Sequence, residues 1–335
     1  MTDEMLRGED SIIQEFLAPL AAGYPGAFGL KDDCAVIAPP GGCELVVKTD
    51  PIVEGVHFLP GTAPEDIAWR ALAVNVSDLA GKGAIPIGYL MALALPEAPK
   101  RIWLERFTSG LGEAQRALGC HLIGGDTDCR PGPLTVAITV FGSVPVGQIV
   151  RRGTARVGDH LFVTGTLGDA ALGLALLKDA ALAQRLGLET SETADVVNRF
   201  LRPQPRLALR PLLLAHASAA MDLSDGLMKD SGRMCASSGV AACLGAAVLP
   251  LSAPMRKAVA TDTEWFKASA AAGDDYEILA AIPGTRMADF VNDAAALDFP
   301  VTRIGEIRAG SGVRMEQPDG SDVIFKRTGW DHFLE

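Results

Sequence analysis

Histidine is scarce in this chain, and cysteine forms no closely spaced pair. The sequence contains 5 histidines and 6 cysteines but no Cys-x-x-Cys motif. Because structural zinc sites need several such ligands at short spacing, no zinc site is predicted. So few histidines also leave no argument for a Ser-His-Asp or Cys-His catalytic group. The cysteines stand among apolar neighbours, which predicts reduced, mostly packed thiols in a cytoplasmic protein.

Basic clusters are missing as well. The formal net charge is −11, with 30 Lys and Arg against 41 Asp and Glu. A nucleic-acid surface needs a basic patch or an arginine-rich run, so nucleic acid is not an expected partner. A phosphorylated substrate would depend on local positive groups or on bound cations.

Long apolar runs that would predict a membrane span are also lacking. Two long stretches without charge, 132–150 and 236–255, are broken by prolines or rich in Ser and Gly. Neither predicts a transmembrane helix, so no membrane partner is expected. The first residues, Met-Thr-Asp-Glu-Met-Leu-Arg, lack the basic and then apolar pattern of a secretory signal.

The chain does contain enough apolar material for two cores. It has 335 residues, of which 48% are hydrophobic, and this length predicts two domains. A Pro/Gly loop at 142–152 that ends in two arginines predicts the boundary, which gives domains 1–148 and 149–335. Periodicity and capping residues predict a mixed α/β chain. The first half has predicted helices at 11–20, 64–81 and 103–118, and strands at 34–38, 44–49, 87–94, 120–123 and 134–141. The second half has predicted strands at 158–164, 277–282 and 301–307, an alanine-rich helix that ends at 178, and a helix after 206.

Aspartates recur at the ends of apolar runs and inside Gly-rich turns, where ligands approach a sheet. Carboxylates held close together repel one another, so such a cluster makes sense if it holds hard cations such as Mg²⁺. Magnesium usually bridges to substrate phosphates, which predicts phosphoryl transfer. The aspartates concerned are Asp33, Asp50, Asp78, Asp126, Asp222 and Asp225.

Each aspartate also has an ordinary structural interpretation. Asp78 precedes Lys82 by four residues, so the two are a possible exposed ion pair on a helix. Asp222 and Asp225 are possible caps for the helix that follows them. Asp32 and Asp33 are a possible simple turn.

Other motifs leave alternatives open. Gly165-x-x-Gly168 lies between a predicted strand and a predicted helix, so it is either a phosphate cradle or an ordinary turn. His57, seven residues after Asp50, is either a packed or surface histidine or a ligand contact. Trp330 is most simply an anchor for the C-terminal end.

A series of motifs covers nearly the whole chain. They are KDDCAV at 31–36, TDxxVEGVHF at 49–58, AVNVSDLAxxGAxP at 73–86, GGDT at 124–127, DLSDGL at 222–227, GDDYEI at 273–278 and GWDHF at 329–333. In this order they resemble the thiamine-monophosphate kinase family of the aminoimidazole ribonucleotide synthetase-like ATP-binding superfamily. The aspartate motifs are shared with sister families, whereas VEGVHF and the C-terminal motif point to this family.

The resemblance implies an enzyme that uses ATP and magnesium ions to convert thiamine monophosphate to thiamine diphosphate. The acceptor phosphate has a second pKa near 6, so it is mostly ionised at neutral pH and needs no general base. The implied architecture is α+β, or mixed α/β, with two domains. The sheet of the N-terminal domain forms the core of a homodimer, and the C-terminal α/β domain completes the nucleotide and substrate site.

The resemblance also implies roles for individual residues. The implied magnesium ligands are Asp33, Thr49, Asp50, Asp78, Asp126, Asp222 and, near a further ion, Asp225. The implied ATP contacts are Gly125, Asp126, Arg152 and Ser224, and the implied thiamine monophosphate contacts are His57, Asp274 and Trp330. The chain departs from the family at Lys48, where Ser is usual, and at Asp274, where Glu is usual.

Two alternatives to a thiamine-monophosphate kinase remain open. One is a sister ATP-dependent synthetase that acts on another acceptor. The other is a catalytically silent protein that binds thiamine monophosphate or a nucleotide. The intact set of aspartates favours an enzyme, because a protein that only binds its ligand does not need every metal ligand.

Overall fold

The computed structural model describes residues 5–6 and 8–331. The chain divides into two compact units, one of Met1–Leu79 with Ala84–Gly147 and one of Ala80–Gly83 with Gln148–Glu335. Both units combine helices with a β-sheet, so the predicted mixed α/β class is confirmed. No helix in the described part of the chain is long and apolar enough to cross a membrane.

The first unit is built on a four-stranded sheet in the order β1-β4-β2-β3. Strand β4 runs antiparallel to β1 and β2, and β3 runs parallel to β2. The strands are β1 (Cys43–Val53), β2 (Ile85–Leu95), β3 (His121–Cys129) and β4 (Thr135–Pro145). The helices are α1 (Glu9–Ile12), a π-helix (Ile13–Leu17), α2 (Ala18–Ala21), a 3-10 helix (Pro25–Leu30), α3 (Pro64–Gly81) and α4 (Arg101–Leu118).

The second unit is built on a six-stranded sheet in the order β10-β7-β9-β5-β8-β6. Its strands are β5 (Asp159–Thr164), β6 (Ala219–Asp222), β7 (Ala241–Gly245), β8 (Ile278–Pro283), β9 (Val301–Arg308) and β10 (Gly312–Glu316). The α-helices are α5 (Asp169–Lys178), α6 (Ala181–Arg185), α7 (Thr190–Leu201), α8 (Arg210–His216), α9 (Leu227–Ser238), α10 (Ala253–Thr261), α11 (Glu264–Ala271) and α12 (Met287–Ala296). Short 3-10 helices cover Arg152–Thr154, Leu207–Leu209, Ala246–Val248 and Gly284–Arg286.

Apolar side chains at helical spacing explain why α3 packs against its sheet. Leu72, Val76 and Leu79 form one stripe along the helix, and all three are fully buried. The second unit has a separate core between its sheet and helices, in which Leu161, Leu244 and Ile304 are buried.

Two predictions about local structure are wrong. Residues 34–38 form no strand; the backbone N–H of Val36 bonds the carbonyl of Gly26 at 2.9 Å instead of a neighbouring strand. Strands β1 and β3 also run further than predicted. Asp50 and Asp126 therefore lie inside strands, and the Gly124-Gly125 pair is part of β3 rather than a turn.

Candidate active site

A cavity of about 790 Å³ lies in the first unit, between its N-terminal helical segment and one face of the sheet. Its polar lining includes Asp32, Asp33, Asp126 and Thr139. A volume within roughly 300–1,000 Å³ is typical of small-molecule sites. The cavity is therefore large enough for a nucleotide-sized ligand and presents carboxylates to it.

A left-handed turn brings Asp33 to this cavity. Phe28, Gly29 and Leu30 all have positive φ, at 51°, 64° and 56°. The chain then returns past Gly26, where an added Cβ would lie 2.2 Å from the carbonyl oxygen of Val36. Only glycine fits this close approach of two backbone segments, which fixes the loop that carries Asp33.

A second glycine positions Asp126. Gly125 has φ 152°, and a Cβ at this position would lie 1.9 Å from the carbonyl oxygen of Met91 on the neighbouring strand. Strand β3 is at the end of the sheet order among the described residues, and an edge strand leaves backbone groups available to a ligand. Asp126 follows directly, and its carboxylate accepts the N–H of Thr127 at 2.9 Å.

Lys48 lies between two of the predicted magnesium ligands. Its ammonium is 2.9 Å from an oxygen of Asp50 and 2.9 Å from an oxygen of Asp78. Asn75 fixes the strand against the helix, because its side chain accepts the N–H of Asp50 at 2.8 Å and donates to the carbonyl of Ala71 at 3.0 Å. The carboxylates of Asp50 and Asp78 therefore converge on one cation that belongs to the chain itself.

The charges of this group favour the protonated lysine. Partial burial alone would lower the pKa of Lys48, but the nearby carboxylates of Asp78 and Asp50 raise it by more. The net result is a pKa above the usual value for lysine. Lys48 is thus a permanent positive charge at neutral pH.

Thr49 is directed differently from its neighbours on β1. Its hydroxyl donates to the carbonyl of Ile138 at 3.2 Å and accepts from the hydroxyl of Thr139 at 2.9 Å. Thr139 lines the cavity, and successive side chains of a strand alternate between the two faces of a sheet. Thr49 is therefore associated with the cavity face, whereas Lys48 and Asp50 are directed to the other face.

The side chain of His57 is held by its own turn. The N–H of Val53 donates to Nδ1 of His57 at 3.0 Å, and the turn is closed by a bond from the N–H of Gly55 to the carbonyl of Phe58 at 2.8 Å. Because Nδ1 accepts, the neutral ring carries its proton on Nε2. Nδ1 of His57 is therefore engaged by a bond within its own turn.

In the second unit, Asp230 organises the loop that carries Ser224 and Asp225. One of its carboxylate oxygens accepts the N–H groups of Ser224, Asp225 and Gly226 at 3.1, 2.9 and 3.2 Å. Asp230 is fully buried. Sequence reasoning missed this residue, although its position in the first turn of α9 is a detectable signal for binding to N–H groups.

Asp225 does not cap α9. The cap residue is Gly226, with no side-chain cap bond, and the carboxylate of Asp225 instead lies 2.6 Å from Arg233 and 3.6 Å from Lys229. Asp222 is the last residue of strand β6 and is buried.

The same loop holds two of the predicted substrate residues. The N–H of Asp274 donates to the carbonyl of Ser224 at 2.8 Å, and the N–H of Trp330 donates to the carbonyl of Asp225 at 2.9 Å. Asp274 has a positive φ of 66°, and the preceding Gly273 has φ 82° and packs against Ser224. The structure therefore brings Ser224, Asp225, Asp274 and Trp330 together.

The alternatives for other residues are resolved in part. Lys82 donates to the carbonyl of Ala220 at 2.8 Å, and Asp78 pairs with Lys48. Arg152 begins a short 3-10 helix at the start of the second unit and is exposed. Of the C-terminal motif, His332 and Phe333 lie outside the described residues.

A buried ionic network was also missed by sequence reasoning. Glu277 is fully buried, receives a hydrogen bond from Thr164, and pairs with Arg199 at 2.6 Å and with Arg206. Beside it, both oxygens of Asp275 accept the N–H of Gly168, at 3.0 and 2.9 Å. This bond favours an ordinary strand-to-helix turn over a phosphate cradle at Gly165-x-x-Gly168.

The predicted magnesium ligands do not form one cluster in the first unit. No group of three or more His, Cys, Asp or Glu side chains within residues 5–6 and 8–331 is arranged to hold a metal ion. Asp33 and Asp126 share the cavity and offer the hard oxygens that Mg²⁺ prefers, so they fit such an ion. The Asp50–Asp78 pair does not fit one at the point where its carboxylates meet, because the ammonium of Lys48 is there.

Two family models match this chain. Residues 31–144 match the N-terminal domain of AIR synthase related proteins, and residues 156–317 match the C-terminal domain. Among curated proteins, the chain is similar to the thiamine-monophosphate kinase of Salmonella typhimurium, with 38% identity over 91% of each chain.

The chain is also similar to solved structures of thiamine-monophosphate kinases. The chain resembles the thiamine-monophosphate kinase of Stenotrophomonas maltophilia, with a TM-score of 0.79 and 40% identity over 88% of this chain and 91% of the other. It also resembles AaThiL complexed with AMPPCP and TMP, with a TM-score of 0.76 and 32% identity over 92% of this chain and 97% of the other.

Proposed function

The chain belongs to the AIR synthase related family and, within it, to the thiamine-monophosphate kinases, and from this we propose its reaction. The enzyme transfers the γ-phosphate of ATP to the phosphate of thiamine monophosphate, which gives thiamine diphosphate and ADP. A relative that holds an ATP analogue together with TMP supports this pair of substrates.

One observation carries the choice of acceptor: Asp274 and Trp330 are bonded through their N–H groups to adjacent residues of one loop, Ser224 and Asp225. Thiamine monophosphate has a permanently cationic thiazolium ring. An aromatic face and a carboxylate are the natural partners of such a cation. We assign the thiazolium end of the substrate to Asp274 and Trp330, and we propose His57 as a further contact of thiamine monophosphate.

Charge repulsion is the main obstacle to this reaction. An acceptor dianion must approach the γ-phosphate of ATP, and one like-charge pair at about 4 Å costs roughly 4 kcal/mol at an effective dielectric of 20. The acceptor is already ionised, so the site needs no general base. What the chain must supply is alignment of the two phosphates and compensation of their charge.

We propose that several magnesium ions and the chain's own cations share this compensation. Bound magnesium would neutralise charge on the phosphates and help to align them. Its proposed ligands are Asp33, Thr49, Asp126 and Asp222, with Asp225 near a further ion. Asp50 and Asp78 are proposed to serve the same metal-dependent site, but at the point where their carboxylates meet they hold the ammonium of Lys48. ATP is proposed to contact Gly125, Asp126, Arg152 and Ser224. The open edge of β3 and the cavity beside Asp33 and Asp126 support the nucleotide part of this assignment.

We further propose a homodimer formed through the first unit. Leu45 and Val47 on β1 and Ile85 on β2 are apolar but 41%, 57% and 48% exposed. Leu45 and Ile85 both pair with Ser143, so they lie in one row across the sheet. An apolar sheet face of this kind is typical of a protein interface. A cytoplasmic location is part of the proposal, supported by six free cysteines.

An assay of product formation tests the proposed function and separates it from the alternatives. Purified protein is incubated with ATP, MgCl₂ and thiamine monophosphate, and thiamine diphosphate and ADP are quantified by chromatography. The kinase makes the two products in equal amounts. A sister synthetase would require another acceptor, and a silent binding protein would bind thiamine monophosphate in calorimetry without making ADP. Either outcome would overturn the proposal.

A further inference from the structure

Lys48 stands where two carboxylates meet, at 2.9 Å from Asp50 and 2.9 Å from Asp78. A divalent ion bound by two carboxylates lies between them in the same way. We propose that the ammonium of Lys48 is a resident cation that takes the place of one magnesium ion at the Asp50–Asp78 pair. This inference rests on the proposed function, in which both aspartates serve a metal-dependent site.

The arrangement is built into the fold. Lys48 and Asp50 are two residues apart on β1, so their side chains share a face of the sheet. Asp78 lies one turn after Asn75 on α3, and Asn75 is fully buried. The side chain of Asn75 accepts the N–H of Asp50 and donates to its carbonyl, at 2.8 and 3.3 Å. These bonds set the strand and the helix in register, so the two carboxylates converge on one point.

The consequence is a change in how many ions this protein must take from solution. The two carboxylates carry two negative charges, and Lys48 compensates one of them permanently. A divalent cation at the same point would be repelled by the ammonium and would lose the two carboxylate oxygens to it. The protein should therefore bind one metal ion fewer per chain than a variant with a small, neutral residue at position 48.

Counting bound Mn²⁺ by electron paramagnetic resonance tests this inference on the full-length, nucleotide-free protein. Lys48→Ser and Lys48→Ala should each bind one more Mn²⁺ per chain than the wild type. The affinity of the Asp50–Asp78 pair for Mn²⁺ should be at least tenfold higher in these variants than in the wild type. Adding Asp78→Asn to Lys48→Ser should remove the additional ion. Lys48→Arg should retain the wild-type count, because it keeps the charge. Circular dichroism establishes that each variant is folded, and two neutral variants guard against failure of one of them to fold.

Lys267→Ser is the matched control, since it removes a lysine that pairs with Glu264 at 2.6 Å in the second unit. It should leave the Mn²⁺ count unchanged. Equal counts in the wild type and both neutral variants would overturn the inference, and so would an additional ion that persists in the double variant. The Mn²⁺ count needs no turnover, so it is independent of the product assay. Failure to make thiamine diphosphate would overturn the proposed function. The Mn²⁺ count alone decides the role of Lys48.

Discussion

The buried carboxyl of Asp275 makes the stability of the second unit depend on pH. Burial is the main cause that raises its pKa to about 8; the bond from Gly168 and the charge of Arg199 lower the pKa, and Asp169 and Glu277 raise it further. In the unfolded chain the same group ionises near pH 4. The folded state therefore binds an extra proton between about pH 4 and pH 8. The stability that this proton contributes is fully present below about pH 4 and is lost as pH rises through about 8.

Asp275→Asn should therefore flatten the pH dependence of stability. The amide oxygen still accepts from Gly168, but it has no proton to lose. Between pH 5 and pH 8 the melting temperature of the wild type should fall more than that of the variant, by about 2–4 °C for each kcal/mol involved. Differential scanning calorimetry at a series of pH values measures this difference. Parallel curves for the two proteins would show that Asp275 is ionised in the folded state throughout this range.

Trp330 is the residue on which the choice of acceptor depends most. A cation–π contact with the thiazolium ring contributes about 0.5–2 kcal/mol, so Trp330→Ala should raise the KM for thiamine monophosphate roughly 2- to 30-fold. The KM for ATP should hardly change, and Trp330→Phe should retain part of the affinity. Steady-state kinetics with each substrate varied in turn decides this. An unchanged KM for thiamine monophosphate would mean that the substrate binds elsewhere.

At the scale of elements, the sequence predicts the regular segments of the first unit better than those of the second, where β6, β7 and β10 are not predicted. The periodic apolar stripe of α3 identifies a helix that the structure gives as Pro64–Gly81. Gly124 and Gly125 carry the local signature of a turn, yet they pair with Leu90 and Met91 inside β3. The need for glycine there comes from close approach of a neighbouring strand, which is a long-range property that local patterns do not contain.

The long-range contacts of functional side chains are likewise not contained in local sequence patterns. The aspartates are visible in the sequence because each stands in a recognisable motif, but their partners are not. Nothing local to Lys48 indicates that it bridges Asp50 and Asp78, since the latter arrives from α3. Likewise, the pairing of Glu277 with Arg199 and Arg206 depends on contacts between segments that are distant in the sequence.

The last described residues, Trp330 and Asp331, are bound to a lysine of α9. Lys229 donates to the carbonyl of Trp330 and lies 3.1 Å from Asp331. Lys229→Met keeps the apolar stem but removes these bonds, so the tail should loosen. We expect faster hydrogen exchange at the amide of Trp330 and a KM for thiamine monophosphate that rises about fivefold, the equivalent of a lost bond of about 1 kcal/mol, at similar kcat. Lys267→Met is the control. An unchanged exchange rate at Trp330 would show that Lys229 does not hold the tail.

At the scale of the whole molecule, the exposed apolar face of the first sheet predicts the oligomeric state. Val47→Glu places a charge at the centre of the proposed interface, where burying an unpaired carboxylate is costly. Light scattering at micromolar concentration should give about twice 35.1 kDa for the wild type and 35.1 kDa for the variant. Val157→Glu changes an equally exposed valine in the second unit and should remain dimeric. A wild-type monomer would refute the dimer, and a dimeric Val47→Glu would place the interface elsewhere.

We propose that the γ-phosphate of ATP is transferred to a phosphate acceptor without a general base. Phosphorus-31 NMR of the full-length protein with ATP, MgCl₂ and thiamine monophosphate measures it directly. We expect new signals of thiamine diphosphate that grow in step with ADP. We also expect no product from unphosphorylated thiamine, whose hydroxyl would need a base, and no product in excess EDTA. Release of inorganic phosphate without thiamine diphosphate, or efficient phosphorylation of free thiamine, would contradict this proposal.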